Sequence, residues 1–230
     1  MMSIRIDFKW LPFFVILFFS FTIIGTISHE YGHILVAKSF GYKTNLHYGS
    51  MNSSIKSEYL ELNAFYITNK SAIMKEENSI FKEKIEEINR KSFWITVGGP
   101  AQTILTGCLG LLILYFRRYK KQFNFIDWLA VFLSLFWLRE VFNLITGIFN
   151  GLFFKGNYFG GDEYEISKIL KLPEGTFSVF LGFIGLLVSL LVVFKLIPKS
   201  KRFTFIVSGL IGGLSGFYIW YEILGPKLLP

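Results

Sequence analysis

The chain has 230 residues, 52% of them hydrophobic and 19% aromatic, with 27 phenylalanines, which exceeds the needs of a soluble core and points to a multi-pass membrane protein. Its net charge of +8 sits beside apolar runs rather than on a stripe interleaved with stacking aromatics, so it reads as membrane flanks and not as a nucleic-acid surface. A single cysteine, Cys108, excludes an internal disulfide and a cysteine zinc cluster.

The first apolar run covers about 11–37, and no charged residue occurs from Leu11 to Ser28. Arg5 and Lys9 ahead of it, with Thr26-Ile27-Ser28 as a small-x-small site, raise a signal peptide as an alternative. The apolar character resumes through Ile34, Leu35, Val36 and Ala37, which makes the run too long for a signal core and long enough to span. A retained first transmembrane helix over 1–37 is therefore expected.

A polar insert follows, 38–92. Its first part reads as strands, Leu46 to Ser50 and Tyr59 to Thr68, with Asn52-Ser53-Ser54 as turn material. Its second part, Ala72 to Lys91, reads as an amphipathic helix, because Ile73, Ile80, Phe81, Ile85 and Ile88 recur at helical spacing among Lys and Glu. Segments 93–149 hold a second and third span, near 93–116 and 125–149, separated by Arg117, Arg118, Lys120 and Lys121. Gly98-Gly99-Pro100 opens the second span, with proline suited to a first helical turn. A loop covers 150–176. The last segment, 177–230, is a hairpin of two spans, 177–197 and 203–222, joined at Pro198 to Arg202. The fold class expected is an all-α polytopic membrane protein of about five transmembrane helices with a small mixed α/β polar insert between helices 1 and 2.

Parity places the insert and the 150–176 loop on one side of the bilayer, side B. The end of the first span, the start of the second and the loop around Asp162 then meet on that side. Short-loop charges put Arg5, Lys9, Arg117, Arg118, Lys120, Lys121, Lys199, Lys201 and Arg202 on side A, the cytoplasmic side by the positive-inside rule.

The chemistry lies in His29-Glu30-Tyr31-Gly32-His33. On a helix the two histidines project from one face, where two imidazoles share one metal ion. The adjacent carboxylate, Glu30, is placed to take a proton from water held there. Ionisable groups inside an apolar helix are costly, so their presence suggests function. A catalytic zinc takes three protein ligands, and four residues are candidates for the third. Asp162 is favoured, since it follows Gly160-Gly161 on the motif's side. Glu163 is its neighbour; Glu140 lies beside Arg139 and reads as half of an intramembrane ion pair; His47 sits among strand-like residues.

Together these residues resemble the site-2 protease family of intramembrane zinc metalloproteases, and more closely its small bacterial members. His29-Glu30-Tyr31-Gly32-His33 is similar to the family's His-Glu-hydrophobic-Gly-His, Gly99-Pro100 to its Gly-Pro-x-x-Asn, and Asp162 to its late Asp-Gly aspartate. Thr103 stands in place of the asparagine, Glu163 in place of the glycine, and the Asn-x-x-Pro lead-in is missing, although Asn143 and Asn150 lie upstream. The resemblance covers about 11–175. It implies one Zn²⁺ per chain held by His29, His33 and Asp162, with Glu30 as catalytic base. It also implies Gly99, Pro100 and Thr103 near the substrate, a membrane-protein substrate in the lipid bilayer, and residence in a bacterial cell membrane. Edge pairing with Tyr59 to Thr68 is one way to hold that substrate extended. The rival reading is a membrane protein that binds metal as a carrier, sensor or inactive relative.

Overall fold

In lipid a spanning segment must satisfy its own backbone hydrogen bonds, so long apolar runs become helices. The computed structural model, which describes residues 5–69, 75–119, 122–154 and 159–230, has five helical stretches long and apolar enough to cross a membrane: Leu11–Ser39, Ser79–Arg117, Phe125–Phe153, Thr176–Leu196 and Arg202–Leu228. They belong to α1 (Leu11–Ser39), α3 (Lys75–Arg117), α4 and α5 (Phe125–Ser134 and Leu138–Phe153, joined by a tighter turn), α7 (Thr176–Leu191) and α8 (Arg202–Tyr218). The chain is thus an all-α polytopic membrane protein carrying one small sheet.

The bundle is built around α1, which packs against α8 on one side and α3 on the other. Near the α1 N-terminus an aromatic core fills the interior. Phe14 lies 4.6 Å from Trp128 of α4 and 5.2 Å from Phe205 of α8, ring centre to ring centre. Polar contacts close this end. Asn124 caps α4 by accepting from the Ile126 and Asp127 amides, while Asp127 accepts from the Asn124 amide and from Arg117 at the end of α3. Lys201 donates to Asp7, and that bond holds the Asp7 carboxyl below its ordinary range. Residues from the three expected side A segments therefore gather at one end.

Toward the other end, α1 and α3 cross backbone against backbone. A Cβ on Gly32 would meet the Gly98 carbonyl oxygen at 2.3 Å, and one on Gly98 would meet the Gly32 oxygen at 2.6 Å. Small residues allow this closeness, as is common where membrane helices touch. Pro100 lies inside α3 rather than at its first turn, contrary to the sequence expectation. The amphipathic segment and the second span form one helix of 43 residues, about 65 Å long at 1.5 Å per residue, twice the hydrocarbon thickness. Proline costs that helix one backbone bond, which neighbouring helices in a membrane bundle make tolerable.

The insert differs from the sequence reading in its strands. The sheet is a short antiparallel hairpin, β1 (Thr44–Leu46) with β2 (Met51–Ser53), Thr44 facing Ser53. Asn52 and Ser53 lie in a strand, and the turn is formed by 47–50. Tyr59 to Thr68 is not a strand but part of α2 (Ile55–Asn69), so edge pairing of a substrate along it is ruled out. Tertiary packing decides this, since Ile55 is buried with Ala37, Ile88 and Ile95, and Tyr66 stacks on Phe81 at 4.2 Å. Within α3, Ile88 is buried and Phe81 and Ile85 are half-buried, whereas Ile80 is exposed; Ile73 lies outside the described residues.

Candidate metal centre

His29 and His33 occupy the last third of α1 and are buried. Four residues apart, they turn both Nε2 atoms to the same point, 3.3 Å from one another. Asp162 enters from α6 (Gly161–Ile169), a short helix packed against α3 and α7. Its Oδ2 lies 2.8 Å from His29 Nε2 and 3.2 Å from His33 Nε2. Burial alone would raise the Asp162 carboxyl, but the hydrogen bonds from the two imidazoles hold it well below the usual carboxylate range. An ionised carboxylate is the form that binds a cation.

The opposite ring nitrogens are fixed as well. His33 Nδ1 lies 2.6 Å from the Ile95 carbonyl, and His29 Nδ1 lies 2.9 Å from the Thr103 hydroxyl. In the form that would hold a metal, a neutral ring donates from Nδ1 and turns its Nε2 lone pair to the ion in place of a proton shared with Asp162, and the Nδ1 contact locks the ring. Ile95, Gly99 and Thr103 recur every fourth residue of α3, antiparallel to His33 and His29 on α1. One face of α3 therefore serves both histidines in register.

These residues fit a tetrahedral ion. Bonds of about 2.0–2.1 Å at tetrahedral angles separate neighbouring ligand atoms by roughly 3.3–3.4 Å. The Nε2 pair meets that spacing, and Asp162 Oδ2 comes slightly closer. Gly99 supplies the space for the two rings, because a Cβ there would lie 2.5 Å from His29 Nε2, 2.3 Å from His33 Nε2 and 2.6 Å from His33 Cε1. The group His29, His33 and Asp162 could hold a metal ion.

The other candidates for a third ligand lie elsewhere. His47 sits at the hairpin turn, with Nδ1 against the Pro230 carbonyl and Nε2 accepting from Asn52 at 2.9 Å. Glu163 turns inward, fully buried, and accepts from Asn143. Glu140 is buried too, but it does not pair with Arg139: both Glu140 carboxyl oxygens and Arg139 Nε lack hydrogen-bond partners among the described residues. The expected ion pair fails because consecutive helical residues point about 100° apart. Glu30 is buried one position after His29, with 6% of its surface exposed. Gly99 and Pro100 are buried in α3; Gly99 and Thr103 touch the histidines themselves, so their visible contact is with the metal centre. If the group holds a metal ion, Thr103→Val should weaken its binding about 10- to 100-fold, with Thr103→Ser retaining it, in a chelator-competition titration. Equal affinities for the valine and serine forms would remove this role.

No protein-family model matches the chain, and no curated protein or solved structure does.

Proposed function

We propose that this protein is an intramembrane zinc metalloprotease, similar in its chemistry to site-2 proteases, that hydrolyses peptide bonds in or beside the membrane segment of another protein. The observation that supports it is the convergence of His29 Nε2, His33 Nε2 and Asp162 Oδ2 beside Glu30, with both Nδ1 atoms anchored. Zinc suits this set, since two imidazoles and one carboxylate leave a fourth tetrahedral position for water or substrate. When bound, such an ion would bring the pKa of its water to about 7 and polarise a carbonyl.

The chain's own residues do the rest. Glu30 takes the proton of the attacking water on its carboxylate as the oxygen adds to the scissile carbonyl carbon, then delivers it to the leaving nitrogen as the C–N bond breaks. His29 and His33 are held against rotation by Thr103 and Ile95, so the donor set stays directed at one point. The surrounding apolar helices limit water, which strengthens the electrostatics of the site. The weight of basic residues at the opposite end favours a cytoplasmic N-terminus in a bacterial cell membrane, with the centre nearer the other face.

The test is metal removal. Purified full-length protein in vesicles should contain one zinc per chain and cut co-reconstituted single-span peptides at sites mapped by mass spectrometry. Chelation should stop cleavage, and stoichiometric zinc should restore it. Zinc-loaded protein that cuts none of a broad set of such peptides would favour the carrier or sensor reading.

A further inference from the structure

Asp162 reaches the histidines with 27% of its side chain exposed and, among the described residues, its hydrogen bonds go to those two rings alone. Something else must set the backbone that carries it. Helix α6 has nine residues, too few to be stable by itself, and it starts from Gly161 with φ of +77°. Its anchor is the next residue. Glu163 points about 100° away from Asp162 around the helix, into the interior, where it is fully buried. Both of its carboxyl oxygens lie 3.2 Å from Asn143 Nδ2 on α5. A carboxylate only accepts, so the Asn143 amide must present its NH₂ group here. Ser167, one turn on, bonds to the Glu163 carbonyl and accepts from the Phe177 amide at the start of α7, which fixes the rest of the helix.

We propose that Asn143 is a positioning residue for the metal centre: by gripping Glu163 it sets the first turn of α6 so that Asp162 Oδ2 meets His29 and His33. The inference rests on reading these three as metal ligands, and it is independent of whether the protein cleaves peptides. A buried carboxylate costs free energy that an apolar side chain of the same size would avoid. The pair therefore serves orientation rather than packing. Glu140 is buried on the same helix as Asn143, and the Asn143 amide is the one side-chain donor within 3.5 Å of the Glu163 carboxyl among the described residues.

The experiment uses the full-length purified chain, with zinc affinity measured by chelator competition, Co²⁺ absorption reporting ligand geometry, and circular dichroism reporting the fold. Asn143→Ala should bind zinc about 10- to 100-fold more weakly and lose intensity in the tetrahedral Co²⁺ bands, with helix content unchanged. Asn143→Asp should do the same, since it sets two carboxylates face to face. Combining Asn143→Asp with Glu163→Gln reverses donor and acceptor across the same contact, and it should return affinity and Co²⁺ bands toward wild type. A role in packing alone would not be rescued by that swap. Wild-type affinity and spectrum in Asn143→Ala, or a double variant as weak as Asn143→Asp, would overturn the proposal while leaving the metal centre standing. A wild-type chain that binds no zinc would remove both.

Discussion

Gly99→Ala is expected to abolish metal binding while leaving the helical bundle intact. The added Cβ would sit 2.3 Å from His33 Nε2, 2.6 Å from His33 Cε1 and 2.5 Å from His29 Nε2, so both rings would have to leave the point that their Nε2 atoms share. Neither imidazole can swing aside without giving up its contact to Ile95 or Thr103. Overpacking of this kind costs about 1–3 kcal/mol. Alanine recovers close to 1 kcal/mol of that through better helix propensity than glycine. The balance leaves the fold standing and the centre blocked. Zinc affinity should fall by more than the ~100-fold typical of losing an outer-shell partner. Gly213→Ala, within α8, is the control: a Cβ there meets nothing within 4 Å, so it should leave zinc content unchanged and thermal stability equal or slightly raised. Stoichiometric zinc in purified Gly99→Ala would show that the ion, if bound, sits elsewhere.

Gly99 also shows what was legible in the sequence. Five spans and the His29-Glu30-Tyr31-Gly32-His33 face could be read directly, because apolar length and four-residue spacing are local properties of a helix. Parity brought the Asp162 loop to the motif's side, but the selection of Asp162 over Glu140 and Glu163 depends on how α6 sits against α3, which no spacing reports. The expected Arg139–Glu140 pair failed on a rule available beforehand, that neighbours on a helix diverge. The resemblance offers Thr103 as a substrate contact, and the structure adds its hydroxyl 2.9 Å from His29 Nδ1, a partnership between α3 and α1 that no spacing reports. The insert departs most from its sequence pattern. Tyr59 to Thr68 carries residues equally at home in a strand, and only the stacking of Tyr66 on Phe81 and the burial of Ile55 make it a helix. Pro100 likewise suggested a helix start, whereas amphipathic and apolar segments of α3 join without a break.

Glu30→Gln should separate binding from chemistry. Glutamine keeps the volume and polarity of a side chain buried beside His29, so the packing of α1 on α3 is preserved. It cannot accept a proton at pH 7. If Glu30 is the base, kcat for a single-span peptide should fall by about 10²- to 10⁴-fold, with KM unchanged and one zinc still bound per chain. Asp162→Ala should give the opposite pattern, with zinc and activity lost together, because it removes the carboxylate that meets both Nε2 atoms. Tyr31→Phe tests for nonspecific damage to the motif. Its side chain is exposed on the outer face of α1, so both zinc content and rate should stay at wild-type values. A Glu30→Gln protein that cleaves at the wild-type rate would place the base elsewhere. One that loses zinc would instead make Glu30 part of the donor set, and hydrolysis would then need a different carboxylate. Glu140 and Glu163 are other buried carboxyls, but Glu163 is engaged by Asn143. Retained zinc with lost turnover therefore assigns the proton transfer to Glu30 and distinguishes a protease from a protein that only carries metal.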